Sequence, residues 1–145
     1  MATSVQLVFD TADPDRQARF WAEALGYQLQ PPPPGFDTWP AFLLAQGIAE
    51  ERWNEASAIV DPDGNGPRIF FQRVPEAKTA KNRMHMDINA SAGRGIPLDE
   101  RKRQVDAAVV RLKALGATDE RGAIEKDGEY WVRLNDPEGN EFCVH

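Results

Sequence analysis

Asp61-Pro62-Asp63-Gly64-Asn65 and Asp136-Pro137-Glu138-Gly139-Asn140 are one turn written twice, 75 positions apart from 61 to 136. Each places proline and glycine where a tight turn needs a fixed φ and then a permissive one. A β-rich run leads into each turn, Ala56-Ser57-Ala58-Ile59-Val60 in the first case and Glu129-Tyr130-Trp131-Val132-Arg133-Leu134 in the second. Another run leaves each turn, Arg68-Ile69-Phe70-Phe71-Gln72 and Glu141-Phe142-Cys143-Val144-His145. A five-residue turn can recur by chance. Its recurrence at the same place in a repeated order of strands points to duplication of a structural module.

The residues further out repeat as well. Val5-Gln6-Leu7-Val8-Phe9 alternates with Val5, Leu7 and Phe9 on one face, the period of a strand. A helix is expected directly after it, with Asp13 as N-cap, Pro14 in the first turn, a stripe of Phe20, Trp21, Ala24 and Leu25, and Gly26 as the stop. In the second half Met84-His85-Met86-Asp87-Ile88 is the alternating strand. A helix from about Pro97 carries Val105, Val109, Leu112 and Leu115, and Gly116 ends it. Short strands are also expected at Tyr27–Gln30 and Thr118–Glu125, the latter closed by a turn at Asp127-Gly128. Only the first half has an addition. Pro31 to Pro34 end its second strand, and Trp39 to Trp53 reads as a short helical insert weakened at Gly47.

This order predicts an α+β chain of two βαβββ modules, about residues 4–76 and 81–145, within one domain of 145 residues. The net charge of −6 disfavours a nucleic-acid partner, which would call for a basic stripe. The apolar runs are too short for a membrane span. The single cysteine, Cys143, cannot form an internal disulfide, so a cytoplasmic location is expected.

With the repeated strand order and its paired Asp-Pro-Asp/Glu-Gly-Asn turns, the chain resembles the vicinal oxygen chelate superfamily, in particular its glyoxalase-like and bleomycin-resistance-like domains. Val60-Asp61-Pro62-Asp63-Gly64, Phe70-Phe71-Gln72-Arg73-Val74-Pro75-Glu76 and Lys81-Asn82-Arg83-Met84-His85-Met86-Asp87 carry the likeness. The resemblance implies curled mixed sheets forming a cup, with one helix packed on the outside of each. It also implies that a divalent metal is often held there by side chains of the first and last strand of each module. Those positions here are Gln6 and His85, with Phe70 or Gln72 and then Cys143, which stands where glutamate is usual. The thiol and the single imidazole are a poor set for the hard or borderline ions such sites take. No metal or other cofactor is therefore expected. Pairing of two chains into a homodimer is also implied by the resemblance.

The functional expectation is binding of a small, partly aromatic organic molecule, as in drug sequestration or resistance. Gln6, Trp39, Trp53, Phe70, Gln72, His85 and Cys143 are the candidate ligand-binding residues. His85 and Asp87 are the candidate catalytic pair, because a carboxylate can orient an imidazole that titrates near neutrality. The alternatives are a metal-dependent lyase, isomerase or dioxygenase, and a metal-free enzyme using His85 as acid and base. Fold alone does not choose among them.

Overall fold

The computed structural model describes residues 2–145, which divide into two compact units between Ala77 and Lys78. In the first unit the order is β1 (Leu7–Thr11), α1 (Pro14–Leu25), β2 (Gln28–Leu29), α2 (Trp39–Ala45), a 3₁₀ turn (Glu50–Glu55), β3 (Ala56–Val60) and β4 (Ile69–Arg73). In the second it is β5 (Asp87–Ile88), α3 (Leu98–Leu115), β6 (Thr118–Lys126), β7 (Glu129–Asn135) and β8 (Glu141–Val144). The sheets run β1-β4-β3-β2 and β5-β8-β7-β6. In each, the strand before the helix pairs in parallel with the last strand, and the remaining pairs are antiparallel. The expected βαβββ module is present twice. No helix among the described residues is long and apolar enough to cross a membrane.

Local chemistry sets the helix ends. The Asp13 carboxylate accepts from the Arg16 N–H at 3.2 Å, Pro14 occupies the first turn, and Gly26 closes α1 in the left-handed region at φ 71°. Ala18, Phe20, Trp21, Ala22 and Ala24 turn inward and are buried. They meet the sheet face carrying Ile59, Ile69 and Phe71, all three at most 1% exposed. Phe9 joins that core, its ring 5.7 Å from Trp21 and 5.3 Å from Phe71. In the second unit Val105, Val109 and Leu112 of α3 fill the same role against a sheet whose Val132, Leu134, Phe142 and Val144 are buried.

The duplicated turns have the same internal wiring. Asp61 accepts from the backbone N–H groups of Asp63, Asn65 and Gly66, and Asp136 from those of Glu138 and Asn140. Gly64 and Gly139 donate backbone N–H to the aspartate carbonyl at 3.0 and 2.9 Å, and both glycines have positive φ. The sequence repeat is therefore a repeat of hydrogen bonds. Gly66, just after the first turn, is packed closely: a Cβ there would fall 1.8 Å from the Tyr27 hydroxyl unless that side chain moved.

Several strand ends differ from expectation. The first strand begins at Leu7 instead of Val5, level with the start of its parallel partner β4 at Ile69, and the first ladder bond runs from the Leu7 N–H to the Arg68 carbonyl at 3.0 Å. The strand expected at Met84–Ile88 shrinks to Asp87–Ile88, and Met84 is 71% exposed instead of lying on a packed apolar face. Upstream of it, Asn82 bonds to the side chains of Glu141 and Asn140, so side-chain acceptors stand where ladder partners were expected. β6 carries a bulge between Asp119 and Gly122 that the alternation did not reveal.

Candidate functional site

The face of the first sheet opposite α1 is left for function. Ala58 pairs directly with Phe70 there, and the small alanine leaves room above the strand. The insert between β2 and β3 encloses that room. Thr38 caps α2 by accepting from the Ala41 N–H at 3.2 Å. After Gly47, at φ 71°, the chain doubles back into the 3₁₀ turn. The result is a cavity of about 720 Å³, walled by Leu29, Trp39, Leu43, Ile48, Trp53 and Phe70.

Hydrogen bonds fix both indoles of the insert. Trp39 donates its Nε1–H to the Gln30 carbonyl at 2.7 Å, and Trp53 to the Ile48 carbonyl at 3.0 Å. Their polar atoms are satisfied, so the ring faces can serve as apolar wall. Asn54 anchors the end of the insert to the start of α1. Its amide nitrogen donates to Asp13 at 2.8 Å, and its amide oxygen accepts from the Asp15 N–H at 2.9 Å. The Asn54 hydrogen bond is the largest influence holding the Asp13 carboxyl below its usual pKa.

Trp39, Trp53 and Phe70 thus line one cavity together. Gln6 lies at its edge through Arg68, whose Nη1 donates to the Gln6 amide oxygen at 2.5 Å. Gln72 is not in the wall. It bonds to Asp10 across the β1–β4 pair at 2.7 Å. Sequence reasoning missed Arg68 and Asn54. For Arg68 a signal was present: it is two residues before Phe70 in a strand, so it shares the face of Phe70.

The second unit brings together His85, Asp87 and Cys143. His85 Nε2 lies 3.4 Å from Asp87 Oδ1, and His145 Nε2 lies 3.9 Å from Asp87 Oδ2. Cys143 stands opposite Asp87 in the β5–β8 register. Burial first, and then the Asp87 carboxylate, push its thiol pKa up. A separate cavity of about 380 Å³ lies near Asn89, Tyr130 and His145, and its Arg94 and Arg101 are both paired with Glu129.

One potential ligand atom from each of His85, Asp87 and Cys143 falls within 4.8 Å of the others. The set does not fit the divalent ion that the resemblance implies. One of its three donors is a soft thiol, and its one carboxylate already lies against two imidazoles. Glu141, on the same face as Cys143, is committed elsewhere. Burial alone would raise its pKa, but the Asn82 N–H, its own N–H and Lys78 hold it down at about 2. Elemental analysis of freshly purified protein is accordingly expected to find no stoichiometric manganese, iron, nickel or zinc. Retained metal that is lost on His85→Ala would reverse this reading.

A family model described as glyoxalase-like domain matches residues 6–145. No curated protein matches the sequence. Among solved structures, a possible glyoxalase from Bacillus cereus superposes with a TM-score of 0.60 at 17% identity, covering 99% of this chain and 98% of that one. A glyoxalase/bleomycin resistance protein/dioxygenase family enzyme from Burkholderia phytofirmans PsJN gives 0.58 at 15% identity, covering 97% and 94%. The fosfomycin resistance protein FosX from Listeria monocytogenes gives 0.62 at 12% identity, covering 100% and 91%. At such identities the likeness to these structures is one of fold.

Proposed function

The chain belongs to the glyoxalase-like domain family, and from that premise we propose that it binds a small, ring-containing organic molecule in the cavity of its first module. The carrying observation is the cavity itself, about 720 Å³ with two hydrogen-bonded indoles and Phe70 in its wall. That volume is in the range of sites for drug-sized molecules, and rigid aromatic faces bury much ligand surface at small cost in rotamer entropy. Sequestration needs nothing more than this cavity, so a drug-binding or resistance role is the simplest use of it.

2-Naphthol, a flat neutral probe, is expected to quench tryptophan fluorescence and raise Tm, because it binds the folded state alone. Trp53→Ala should weaken that binding by about tenfold or more, the effect of truncating an aromatic anchor in a pocket. No residue of the 3₁₀ turn is buried, so the variant should keep the far-ultraviolet dichroism of the parent. Undiminished affinity in a folded Trp53→Ala protein would remove the cavity from the function.

The His85–Asp87 contact of 3.4 Å supports a second reading, metal-free proton transfer. In that case His85→Ala abolishes turnover of a substrate while changing Tm little, since His85 is exposed. A variant that lost stability and kept turnover would make His85 structural.

A further inference from the structure

Three arginines and two carboxylates line the first module's cavity, a surplus of one positive charge in a chain of net charge −6. Two of the arginines are internally paired. Arg19 Nε lies 2.8 Å from Asp15, and Arg52 Nη2 lies 2.9 Å from Glu55. Arg68 is different. Its Nε donates to the Gln30 amide oxygen at 2.6 Å and its Nη1 to that of Gln6 at 2.5 Å. Among the described residues no carboxylate pairs with it.

Two neutral amides orient this guanidinium without neutralising it, and it sits over the Phe70 ring at 5.1 Å from the centroid. The two amides hold the group through Nε and Nη1, on different sides, and Nη2 between them makes no hydrogen bond among the described residues. A planar cation with donors to spare beside an apolar wall is matched by a carboxylate, which it can meet through charge-assisted hydrogen bonds. Resting on the reading of this cavity as the ligand site, we propose that its ligand is an aromatic monocarboxylate, with the ring against Trp39 and Trp53 and the carboxylate on Arg68. The single surplus charge favours a monoanion over a dianionic phosphate ester. The glutamines have a definite part in this assignment: a glutamate at either position would give Arg68 an internal counter-ion and shut out the ligand's.

Calorimetric titration of the full chain with 2-naphthoate and its near-isosteric neutral partner 2-naphthamide tests the assignment. The acid is expected to bind about tenfold or more tightly than the amide, a charge-assisted bond being stronger than a neutral one. Raising the salt concentration should narrow the gap. Arg68→Met should cost the acid far more than the amide, and Arg68→Lys should restore part of the preference. Gln30→Glu supplies the internal carboxylate without removing the arginine, and should erase the preference by itself. If the amide binds as well as the acid, or if Arg68→Met weakens both equally, the anionic assignment fails while the cavity remains a ligand site. If neither probe binds, the reading of the cavity fails and takes the assignment with it.

Discussion

Trp21→Ala is expected to lower the unfolding free energy by about 3–5 kcal/mol, the usual cost of truncating a buried aromatic to alanine. Trp21 is 1% exposed, and its ring is held between Phe20, 5.2 Å away in an edge-on contact, and Phe9 at 5.7 Å. These neighbours cannot fold in to fill the gap. Phe20 is fixed on the same helix, and Phe9 is fixed on β1 by its pairing with Phe71. Against a typical total of about 5–15 kcal/mol, such a loss leaves a folded fraction sensitive to mild warming. Urea titration should show a fall in midpoint with an unchanged slope. Trp21→Phe, which keeps a ring in the site, should cost less. A loss under about 1 kcal/mol would mean that α1 does not pack on the sheet through this residue.

The second large effect is expected at Asp136, through hydrogen bonding instead of packing. Asp136 is 2% exposed, and its carboxylate accepts from the N–H groups of Glu138 and Asn140 and from the Asn140 side-chain amide. Asp136→Ala strips the partners from these partly buried donors together. With about 1–3 kcal/mol for each buried group left unsatisfied, a total near 2–4 kcal/mol is expected. Asp61→Ala makes the same change in the other copy of the turn. There the freed N–H groups of Asp63 and Asn65 stand at the surface and can turn to water, and only that of Gly66 is partly buried. Its loss should be a fraction of that at Asp136. Denaturation of the two variants side by side checks this. Equal losses would show that burial does not set the cost.

The contrast between these turns also shows what a single sequence could reveal. Proline, glycine and aspartate at the turns, Asp13 and Gly26 at the ends of α1, and the spacing of Val105, Val109 and Leu112 act over a few residues, so they could be read directly. The tryptophans of the insert could be placed near a pocket because an aromatic insertion between strands has few other uses. The contacts that complete the site are not local. Asn54 reaches Asp13 across 41 positions, and Arg68 reaches Gln6 across 62. No periodicity encodes such pairs. The shortened β5 has the same origin, since Asn82 meets Glu141 59 positions away. Gln72 points onto the expected face and still misses the cavity, because the alternation of a strand gives a direction and says nothing about where an insert will close over it.

The insert has no buried residue in α2 or in the 3₁₀ turn, and side-chain hydrogen bonds tie it to the module at Gln30 and at Asp13 and Asp15. Apart from Asn54, which holds the first turn of α1, its side chains can therefore change with little consequence for the sheet or for α1. Evolution could exchange this segment as a cassette, trading one set of aromatic and aliphatic groups for another while the rest of the module goes on folding as before. Under such exchange ligand preference would drift quickly among relatives whose cores stay nearly constant, and a ligand identified for one of them would be a poor guide to the next.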